Sequence, residues 1–573
     1  MDLRLMLERP TEVERRAVDD VVGPIEPYDG RVVRGGHAAR ARRHLLIPAL
    51  HAVQDVSGAV SKGALAYICE RLTVAPAEAY GVATFYALFD VDGRGGATVH
   101  VCDDIVCAQY GAALLTAELE ADGVHFERSP CLGQCDRAPA ALFHTPGSGY
   151  SSTAPFDRDS LRHPAQADLP TGVINQDTNG LALLHRIGKV DPESIDSYVA
   201  AGGFEALTRA RNMGPEWVIS ELKESNLRGR GGAAFPIGIK WEGVRNATGS
   251  DKVVIANGDE SEPGTFKDRL VMEEDPFAVV EAMALYGFAT GATHGYIYVR
   301  GEYPVAERRL RNAVTQTREA GWMSESFELE VRRGAGAYIC GEETALFASI
   351  EGQRGEPRQK PPFPVQSGLF GKPTGINNIE TLLAALAVIT MGGSSFAAVG
   401  TEQSSGPKLF CVSGAVARPG VYEVPFGATL GALLDLAGGI RYGRGVGAIL
   451  MGGAAGVFTD ASALDLRLTF EDARAAGTTL GSGSMVFFDD STDFGSVLRR
   501  IARFFRDESC GQCVPCRIGT VRQEESLERF LAGVESERTN LEDLARVMTD
   551  ASICGLGQTA SSAVQSAIGL GLV

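Results

Sequence analysis

Apolar and polar positions change their spacing several times along the chain, and each change marks a predicted region. Between about 40 and 89 the apolar residues recur at helical spacing, which predicts a small helical bundle. Residues 97–101 and 140–143 have the short apolar runs of strands, and 111–121 has a helical pattern. The first 35 residues are mostly polar and charged, so we expect them to be loosely ordered.

The C-terminal two thirds alternate strand-like and helix-like patterns. Within residues 173–405, the strand candidates 253–256 and 296–299 are separated by helical patterns, which predicts an α/β region. Residues 407–490 are typical of a small β-rich domain. From Gly495 onward the pattern is that of a helical bundle.

These patterns predict a multidomain α/β protein. Pro, Gly, Ser and Asp dominate residues 145–172 without periodicity, which is typical of an interdomain linker. The predicted regions are an N-terminal extension at 1–35, a helical bundle at 36–90, a small cysteine-containing domain at 91–150, a linker at 151–172, an α/β domain at 173–405, a β-rich domain at 406–492 and a helical bundle at 493–573.

The composition restricts the classes of function and the partners that we expect for this chain. The net charge of −18 disfavours nucleic acid as a partner, because neutralising phosphates needs clustered Lys and Arg. The N-terminus has no secretory signal, and no run of 18 apolar residues occurs, so we expect a cytoplasmic chain without a membrane span. Glycine accounts for 69 of the 573 residues, which predicts many tight turns or ligand-lining loops.

Eight of the eleven cysteines form two groups of four, and disulfides are unexpected in the cytoplasm. The first group pairs Cys102 with Cys107 and Cys131 with Cys135. Two short pairs on adjacent loops suit a [2Fe–2S] cluster, with one pair for each iron. Zinc more often takes pairs of the C-x2-C type, so zinc, or simple burial, is the weaker alternative.

The second group is Cys510, Cys513 and Cys516 at C-x2-C-x2-C spacing, followed by a remote Cys554. Three closely spaced thiolates and a distant fourth are typical of a [4Fe–4S] cluster. A structural zinc ion is again the alternative.

Glycine-rich segments between the two groups predict a nucleotide or flavin site. Residues 227–241 contain Gly229, Gly231 and Ala234 in the order G-x-G-x-x-A, but no clear strand precedes them. The standard dinucleotide fingerprint requires that strand. The segment therefore indicates either a loop that presents backbone N–H groups to phosphate or a flexible turn.

Two further segments carry polar groups that suit a flavin or a ribose. Residues 257–269 (NGDESEPGTFKDR) offer carboxylates and an amide, although a solvated acidic loop would look the same. Residues 334–381 combine glycine-rich turns, two adjacent Glu, the aromatic and cationic segment 360–363 and two adjacent Asn. No histidine pattern for a metal and no nucleophilic triad is present.

Together these motifs resemble two subunits of the respiratory complex I family. Residues 40–145 are similar to the thioredoxin-like [2Fe–2S] subunit, through the segments RRHLLIPALHAVQDVSG, PAEAYGVATFY and CLGQCDRAPA. Residues 180–573 are similar to the flavoprotein subunit that binds FMN and NADH, through GRGGAAFPIGIKW, DESEPGTFKDR, GAGAYICGEETAL, KPPFP, NNIET and SCGQCVPCR. The fusion of both parts, with NGDE, DESCGQC and DASICGLGQTAS, most resembles the β (diaphorase) subunit of NAD-dependent molybdenum or tungsten formate dehydrogenases.

The resemblance implies a fold for each region and a set of ligands. It implies a thioredoxin-like [2Fe–2S] domain at 91–150, a Rossmann-like FMN/NAD domain at 173–405, a β-grasp-like domain at 406–492 and a [4Fe–4S] helical bundle at 493–573. It places around FMN the residues Gly229, Gly231, Lys240, Asn257, Asp259, Glu260, Tyr338, Gly341, Glu342, Asn377, Asn378 and Thr381. It places facing NAD(H) the residues Gly232, Phe235, Glu262, Glu343, Lys360 and Phe363.

The chain departs from the family pattern at three points. The segment KWEGVRN lacks a second aromatic residue, so adenine stacking rests on Phe235 and Phe363. The spacer between the two cysteine pairs of the first group is short. Ile518 stands where the family motif CREG has Glu. None of these changes removes a cysteine.

The function implied by the resemblance is reversible electron transfer between a partner subunit and NAD⁺. Electrons would pass through the [4Fe–4S] centre to FMN, and a hydride would pass from FMN to NAD⁺. No side chain need act as a conventional acid or base, although Glu260 and Glu343 lie in the implied site. The partner would be a catalytic α subunit with a molybdenum or tungsten cofactor and further Fe–S clusters. The alternatives are the same role in a hydrogenase or in complex I, or a zinc-stabilised nucleotide-binding scaffold without redox turnover.

Overall fold

The computed structural model describes residues 8–23, 42–93, 96–161, 174–249 and 251–573. The remainder of the predicted N-terminal extension and most of the predicted linker lie outside these ranges. Strands occur at 98–102, 253–258 and 294–299, close to their predicted positions. No helix in the described ranges is both long and apolar enough to cross a membrane.

Four helices form the N-terminal bundle, and the first of them was not predicted. The segment expected to be loosely ordered contains a helix that begins with a capping box between Thr11 and Glu14 and buries Val18 and Val22. The helix is short and most of its residues are charged, so its apolar face is not evident from the sequence pattern. The helices are α1 (Glu12–Val22), α2 (Leu46–Ser57), α3 (Lys62–Leu72) and α4 (Pro76–Ala83).

A four-stranded sheet follows, in the order β2-β1-β3-β4, with β1 parallel to β2 and antiparallel to β3. Its elements are β1 (Thr98–Cys102), α5 (Ile105–Gln109), α6 (Ala112–Ala121), β2 (Glu127–Ser129), β3 (Ala141–Thr145) and β4 (Gly149–Thr153). Strand β4 and the buried Phe156 correct the predicted linker, which therefore starts later than residue 151. The Gly- and Ser-containing sequence of β4 forms a hairpin with the preceding strand β3, and composition alone does not reveal this pairing.

The third region is a parallel sheet in the order β7-β6-β5-β8, covered by helices. Its strands are β5 (Val253–Gly258), β6 (His294–Val299), β7 (Glu328–Arg333) and β8 (Thr374–Asn378). Its helices are α7 (Ile195–Ala200), α8 (Glu205–Met213), α9 (Pro215–Glu224), α10 (Ile237–Asn246), α11 (Lys267–Glu274), α12 (Pro276–Thr290), α13 (Pro304–Glu319), α14 (Glu343–Ile350), α15 (Ile379–Met391) and α16 (Gly393–Ala397). All four strands are largely buried, as parallel sheets require.

The predicted β-rich region is a mixed five-stranded sheet in the order β10-β9-β13-β11-β12. Strands β9 and β13, the first and last of the five along the chain, are parallel neighbours. This arrangement is consistent with the β-grasp-like domain that the resemblance implies. Its elements are β9 (Pro407–Gly414), β10 (Gly420–Pro425), α17 (Leu430–Leu436), β11 (Val446–Met451), β12 (Val457–Thr459), α18 (Phe470–Ala475) and β13 (Ser484–Asp489). It has an apolar core of its own beneath α17.

The C-terminal bundle consists of α19 (Phe494–Asp507), α20 (Val514–Leu531), α21 (Glu537–Ala551), α22 (Gly555–Thr559) and α23 (Ser562–Gly569). Short 3₁₀ turns complete the described chain at Arg43–Leu45, Cys135–Arg137, Asp159–Leu161, Tyr338–Gly341, Leu369–Gly371, Arg441–Gly443 and Ala461–Asp465. One apolar core runs from the N-terminal helices through the parallel sheet to the C-terminal bundle.

Candidate functional site

A cleft of about 630 Å³ opens at the carboxyl ends of the parallel strands. Strands β5 and β8 are neighbours, and Asn257 and Asn378 are register partners at their ends. Ligands of open α/β sheets bind at this edge, and the volume lies in the range of small-molecule sites. All of the predicted FMN and NAD(H) residues line the cleft except Phe363. Phe363 is exposed outside it, so the predicted aromatic wall consists of Phe235 alone.

The glycine-rich loop forms one wall of the cleft. It connects helix α9 to helix α10, so the missing strand noted in the sequence is also missing in the fold. The N–H of Arg230 donates to Thr381 Oγ1 at 2.8 Å, which ties the loop to the first turn of α15. A Cβ atom on Gly231 would lie 3.0 Å from Asn378 Cβ, and Gly232 has a φ of +112°. Glycine is therefore required for the loop to pass this close to β8.

Two polar side chains of the cleft can donate to a bound anionic cofactor. Asn377 accepts a hydrogen bond from Trp241 Nε1 at 3.3 Å, but its own buried Nδ2 has no hydrogen-bond partner among the described residues. Lys240 donates to the carbonyl of Ile376 at 3.0 Å, and burial lowers its pKa. A buried amide donor and a half-buried cation beside a glycine loop suit the phosphate and polar ring edges of FMN.

The cleft also contains several buried carboxyl groups. Burial raises the pKa of Glu260 to about 8 and that of Glu262 to about 7. Burial also raises the pKa of Asp259 well above its usual range. Glu260 accepts from the first two N–H groups after Lys267, whereas Glu262 accepts from Tyr338 Oη at 2.5 Å. Burial thus favours the protonated form of these carboxyl groups.

Glu342 and Glu343 have different roles although they are adjacent. Glu342 caps helix α14 and accepts from the N–H groups of Thr344 and Ala345. Lys360 bridges the two carboxylates, with distances of 3.2 Å to Glu342 and 2.5 Å to Glu343. This bridge places a cation at the rim of an otherwise acidic cleft.

Two other domains contribute residues to the cleft that sequence reasoning missed. The β-rich domain supplies two glycine-containing turns, and the C-terminal bundle supplies the start of α22. The segments GGAAG at 452–456 and GSGS at 481–484 carried a signal, since glycine clusters often mark ligand-lining turns. The missed residues are Gly452, Ala455, Thr479, Gly481, Ser482, Gly555, Leu556 and Thr559.

The four cysteines of the first group meet near the carboxyl end of β1, where Cys102 lies, and all are buried. Cys131 Sγ lies 3.4 Å from Cys135 Sγ, and the Cys102 thiol reaches those of Cys107 and Cys131. Hydrogen bonds from Cys102 and Cys135 lower the pKa of Cys131, which favours a thiolate. A set of four convergent buried thiols fits a [2Fe–2S] cluster.

The four cysteines of the second group line one small cavity. Cys510 and Cys513 precede helix α20, Cys516 lies in its first turn, and Cys554 precedes α22. Such a cavity lined by four thiols fits a [4Fe–4S] cluster.

Ile339 and Leu556 line both this cavity and the nucleotide cleft. The second cysteine group is therefore separated from the cleft by single side chains.

A buried arginine joins the first cysteine group to the cleft. Arg300 donates to the carbonyls of Cys131 and Glu260, at 2.8 and 2.9 Å, and pairs with Glu302. Tyr303 donates to the same Glu260 carbonyl at 3.2 Å. The [2Fe–2S] domain is therefore fixed against the acidic wall of the cleft.

Four family models match the chain in the order of its domains. They are the thioredoxin-like [2Fe–2S] ferredoxin (residues 36–147), the Nuo51 FMN-binding domain (222–387), the SLBB domain (409–443) and the NADH-ubiquinone oxidoreductase-F iron-sulfur binding region (496–569).

Curated relatives cover one or both parts of the chain. The NADP-reducing hydrogenase subunit HndC of Solidesulfovibrio fructosivorans is 42% identical over 389 residues, which are 66% of this chain and 79% of that protein. The NAD-reducing hydrogenase HoxS subunit alpha of Cupriavidus necator is 33% identical over 572 residues, covering 93% of this chain and 91% of that protein. A crystal structure of an air-oxidized NAD⁺-reducing [NiFe]-hydrogenase contains a chain with a TM-score of 0.80 and 32% identity, and the match covers 92% of each chain.

A dinucleotide and flavin cleft between two iron–sulfur domains defines a diaphorase-type electron-transfer subunit. The chain belongs to the family of FMN- and NADH-binding iron–sulfur subunits that is represented in NADH-quinone oxidoreductases and in NAD-reducing hydrogenase. The prediction of FMN, a [2Fe–2S] cluster, a [4Fe–4S] cluster and NAD(H) as substrate is thereby confirmed. The zinc-stabilised scaffold was the alternative, and the two iron–sulfur family models disfavour it.

Proposed function

We propose that the chain is the NAD⁺-reducing subunit of a formate dehydrogenase complex. Its catalytic partner, on another polypeptide, would carry a molybdenum or tungsten cofactor and further Fe–S clusters. The observation that carries the electron-transfer role is the sharing of Ile339 and Leu556 between the nucleotide cleft and the second cysteine cavity. A redox centre among those cysteines would lie directly beside the flavin.

The residues of the cleft divide into two sets in this proposal. Gly229, Gly231, Lys240, Asn257 and Asn377 would hold FMN, with the remaining predicted FMN residues around them. Lys240 would supply a half-buried cation and Asn377 a buried donor to the anionic flavin.

The outer set binds the substrate. Gly232, Phe235, Glu262, Glu343 and Lys360 would face NAD(H), with the exposed ring of Phe235 available for stacking on adenine. Phe363 would contribute to that stacking only from the outside, because it does not line the cleft.

FMN, when bound, exchanges a hydride with NAD(H) and single electrons with iron–sulfur clusters. The side chains therefore position the reactants and exclude water. Tyr338 orients the Glu262 carboxyl group at 2.5 Å, and the Ala455 N–H donates to its other oxygen at 2.8 Å. This contact brings the β-rich domain against the cleft and covers it from that side.

The formate assignment rests on three sequence segments around these sites. NGDE lies at the end of β5, DESCGQC precedes α20, and DASICGLGQTAS contains Cys554. Each segment borders the cleft or the second cysteine cavity. Together with the fusion of the two parts, they favour a formate dehydrogenase over the unfused subunits of complex I.

A hydrogenase partner is the second candidate. The HoxS subunit alpha aligns over 93% of this chain, so it shares the fused organisation. An experiment on the native complex therefore distinguishes formate from hydrogen as the electron donor.

The test is NADH formation by the natively purified complex under anaerobic conditions, with formate as sole donor and then with hydrogen. We expect NADH with formate and none with hydrogen. NADH formation with hydrogen alone would replace the proposal by the hydrogenase candidate. If neither donor works while NADH still reduces an artificial dye, the flavin module is right and the formate partner is wrong.

The Cys513→Ser variant tests the route through the second cysteine group. We expect it to abolish donor-driven NADH formation, because serine is a poor ligand for iron–sulfur clusters. NADH-to-dye activity should persist, since the flavin cleft is intact. An unchanged donor-driven rate would contradict the route.

A further inference from the structure

The side chain of Arg230 extends from the glycine-rich loop toward the β-rich domain. Its neighbours Gly229, Gly231 and Gly232 line the nucleotide cleft, whereas Arg230 is 1% exposed and does not line it. Its Nη2 atom donates to the carbonyl of Ser405 at 2.7 Å. The loop therefore presents glycine backbone to the cleft and buries a cation behind it.

An aromatic ring of the β-rich domain completes the surroundings of this guanidinium group. The Cζ atom of Arg230 lies 4.5 Å from the centre of the Phe426 ring. Ser405 comes just before strand β9 and Phe426 just after strand β10, which is the antiparallel neighbour of β9. Arg230 thus fastens the glycine-rich loop to the first two strands of the β-rich domain.

The charge of Arg230 has no carboxylate in direct contact. Among the described residues, no carboxylate oxygen lies within 4.0 Å of its guanidinium nitrogens, and Nε and Nη1 have no hydrogen-bond partner. Burial lowers its pKa from 12.5 to about 10, which Glu380 partly opposes, so the group stays charged at neutral pH. A buried cation without a paired anion is costly, and an anion held nearby reduces that cost.

A second buried cation of the β-rich domain supports another wall of the cleft. Lys408 in β9 pairs with Glu380 at 3.3 Å and donates to the carbonyl of Ser482 at 3.1 Å. Ser482 belongs to the GSGS turn that lines the cleft, and its Oγ lies 2.9 Å from Thr265 Oγ1. Glu380 also pairs with Lys267 at 3.2 Å. The same buried charges therefore hold the turn and the first turn of α15.

The glycine-rich loop and the GSGS turn approach each other at the cleft. A Cβ atom on Gly232 would lie 3.8 Å from the carbonyl carbon of Gly481. The N–H of Arg230 donates to Thr381, the residue that follows Glu380 in α15. Loop, turn and helix start thus surround one part of the cleft, with buried cations behind them.

A phosphate group in this part of the cleft would supply the missing negative charge. Glycine N–H groups that face a cavity bind phosphate, and a nearby cation strengthens that interaction where water is excluded. FMN and riboflavin differ only by a phosphate group. The arrangement therefore distinguishes between two flavins with the same ring system.

We propose that Arg230 is a positioning residue for the phosphate of FMN, which it stabilises from behind the glycine-rich loop. Its guanidinium group holds the loop against Ser405 and Phe426 and supplies positive potential to the cleft. The β-rich domain thereby takes part in selecting FMN over riboflavin. The proposal rests on the proposed placement of FMN around Gly229 and Gly231.

The test measures flavin binding by the full-length chain after its flavin has been removed. Fluorescence titration gives the dissociation constants of FMN and riboflavin, and their ratio isolates the contribution of the phosphate. In Arg230→Met we expect the dissociation constant of FMN to rise about tenfold or more, and that of riboflavin to change by less than about threefold. Arg230→Lys keeps the charge and should keep most of the wild-type ratio.

Arg209→Met is the matched control. Arg209 also lies over an aromatic ring, that of Trp217, and donates to the carbonyls of Ile389 and Thr390, but it does not line the cleft. This variant should leave both dissociation constants as in wild type. If Arg230→Met does not fold, Arg230→Gln decides, because its amide retains a donor for the Ser405 carbonyl while the charge is lost.

The proposal is overturned if the charge-removing variant keeps the wild-type ratio, because the arginine would then support both flavins equally. It is also overturned if Arg230→Lys loses as much of the ratio as that variant, since positive charge would then be irrelevant. If the wild type binds riboflavin as tightly as FMN, the proposed placement of FMN is wrong instead. A failure of formate-driven NADH formation refutes the proposed partner and leaves this ratio unaffected.

Discussion

Glu262 shows how one residue of the cleft is shaped by its surroundings. It lies in a loop after β5, and both of its carboxyl oxygens are engaged, one by Tyr338 and one by the Ala455 N–H. Burial nevertheless outweighs these bonds and raises its pKa from the ordinary 4.5 to about 7. The group therefore changes charge within the physiological range.

This shift predicts a pH dependence of stability. Between pH 4.5 and about 7 the folded chain keeps a proton on Glu262 that the unfolded chain has lost, so the free energy of unfolding falls as the pH rises through that window. Glu262→Gln removes this contribution, which is on the order of 2 kcal/mol. Denaturant unfolding at both ends of the window measures it. Glu325→Gln, at an exposed position, should keep the wild-type dependence of the unfolding free energy on pH. If Glu262→Gln also keeps the wild-type dependence, the prediction is refuted.

The helices of the C-terminal bundle position the second cysteine group. Cys516 lies in the first turn of α20, and the short helix α22 packs against it through Gly557. A Cβ atom on Gly557 would lie 2.9 Å from Cys516 Cβ and closer still to Ser552 Oγ. The absence of a side chain is therefore what allows α22 to approach the cysteine.

Gly557→Val should displace Cys516 from the other three thiols. We expect the purified chain to lose about four iron atoms, those of one [4Fe–4S] cluster, while the [2Fe–2S] signal remains. Iron analysis and electron paramagnetic resonance measure both. Gly569→Val, where a Cβ atom meets nothing within 4 Å, is the control and should keep its iron. Full iron content in Gly557→Val would show that the helix can shift without loss of the site.

At the scale of the whole molecule, buried charges hold the domains together. Arg269 pairs with Asp136 of the [2Fe–2S] domain at 2.7 Å, and Arg300 bonds the Cys131 carbonyl of the same domain. Lys408 of the β-rich domain pairs with Glu380 of α15 at 3.3 Å. Such contacts fix the relative orientation of the domains more than they increase the free energy of unfolding. The gain in free energy is small because each charge loses its hydration when it is buried.

Removing one partner of such a contact is costly. Arg300→Met should lower the free energy of unfolding by about 3–5 kcal/mol, because Glu302 loses its buried cation and the Cys131 carbonyl loses this donor. Calorimetric unfolding and limited proteolysis of the [2Fe–2S] domain are the measurements. The exposed Arg308→Met variant should change stability by less than ~0.5 kcal/mol. If Arg300→Met unfolds like wild type, this arginine does not couple the domains.

The sequence by itself determined those features of this protein that depend on residues close together along the chain. Cysteine spacing assigned both cluster domains, because ligands of one cluster edge lie within a few residues of each other. Glycine-rich and amide-rich segments marked the loops of the cleft, since backbone geometry and donor chemistry are local. The strands at 253–258 and 294–299 followed from their apolar runs.

Only the tertiary structure decided which separate segments of the chain come into contact. It brought Gly452, Ser482 and Leu556 from two other domains into the cleft, left Phe363 outside, and paired β4 with β3 where composition favoured a linker. It also left Asn377 Nδ2 without a hydrogen-bond partner in the described part of the chain, and it exposed Val514, Ile518 and Val521 on helix α20. Apart from the pairing of the neighbouring strands β3 and β4, these features depend on packing between segments that are far apart in sequence. The local pattern of a chain carries no information about such contacts.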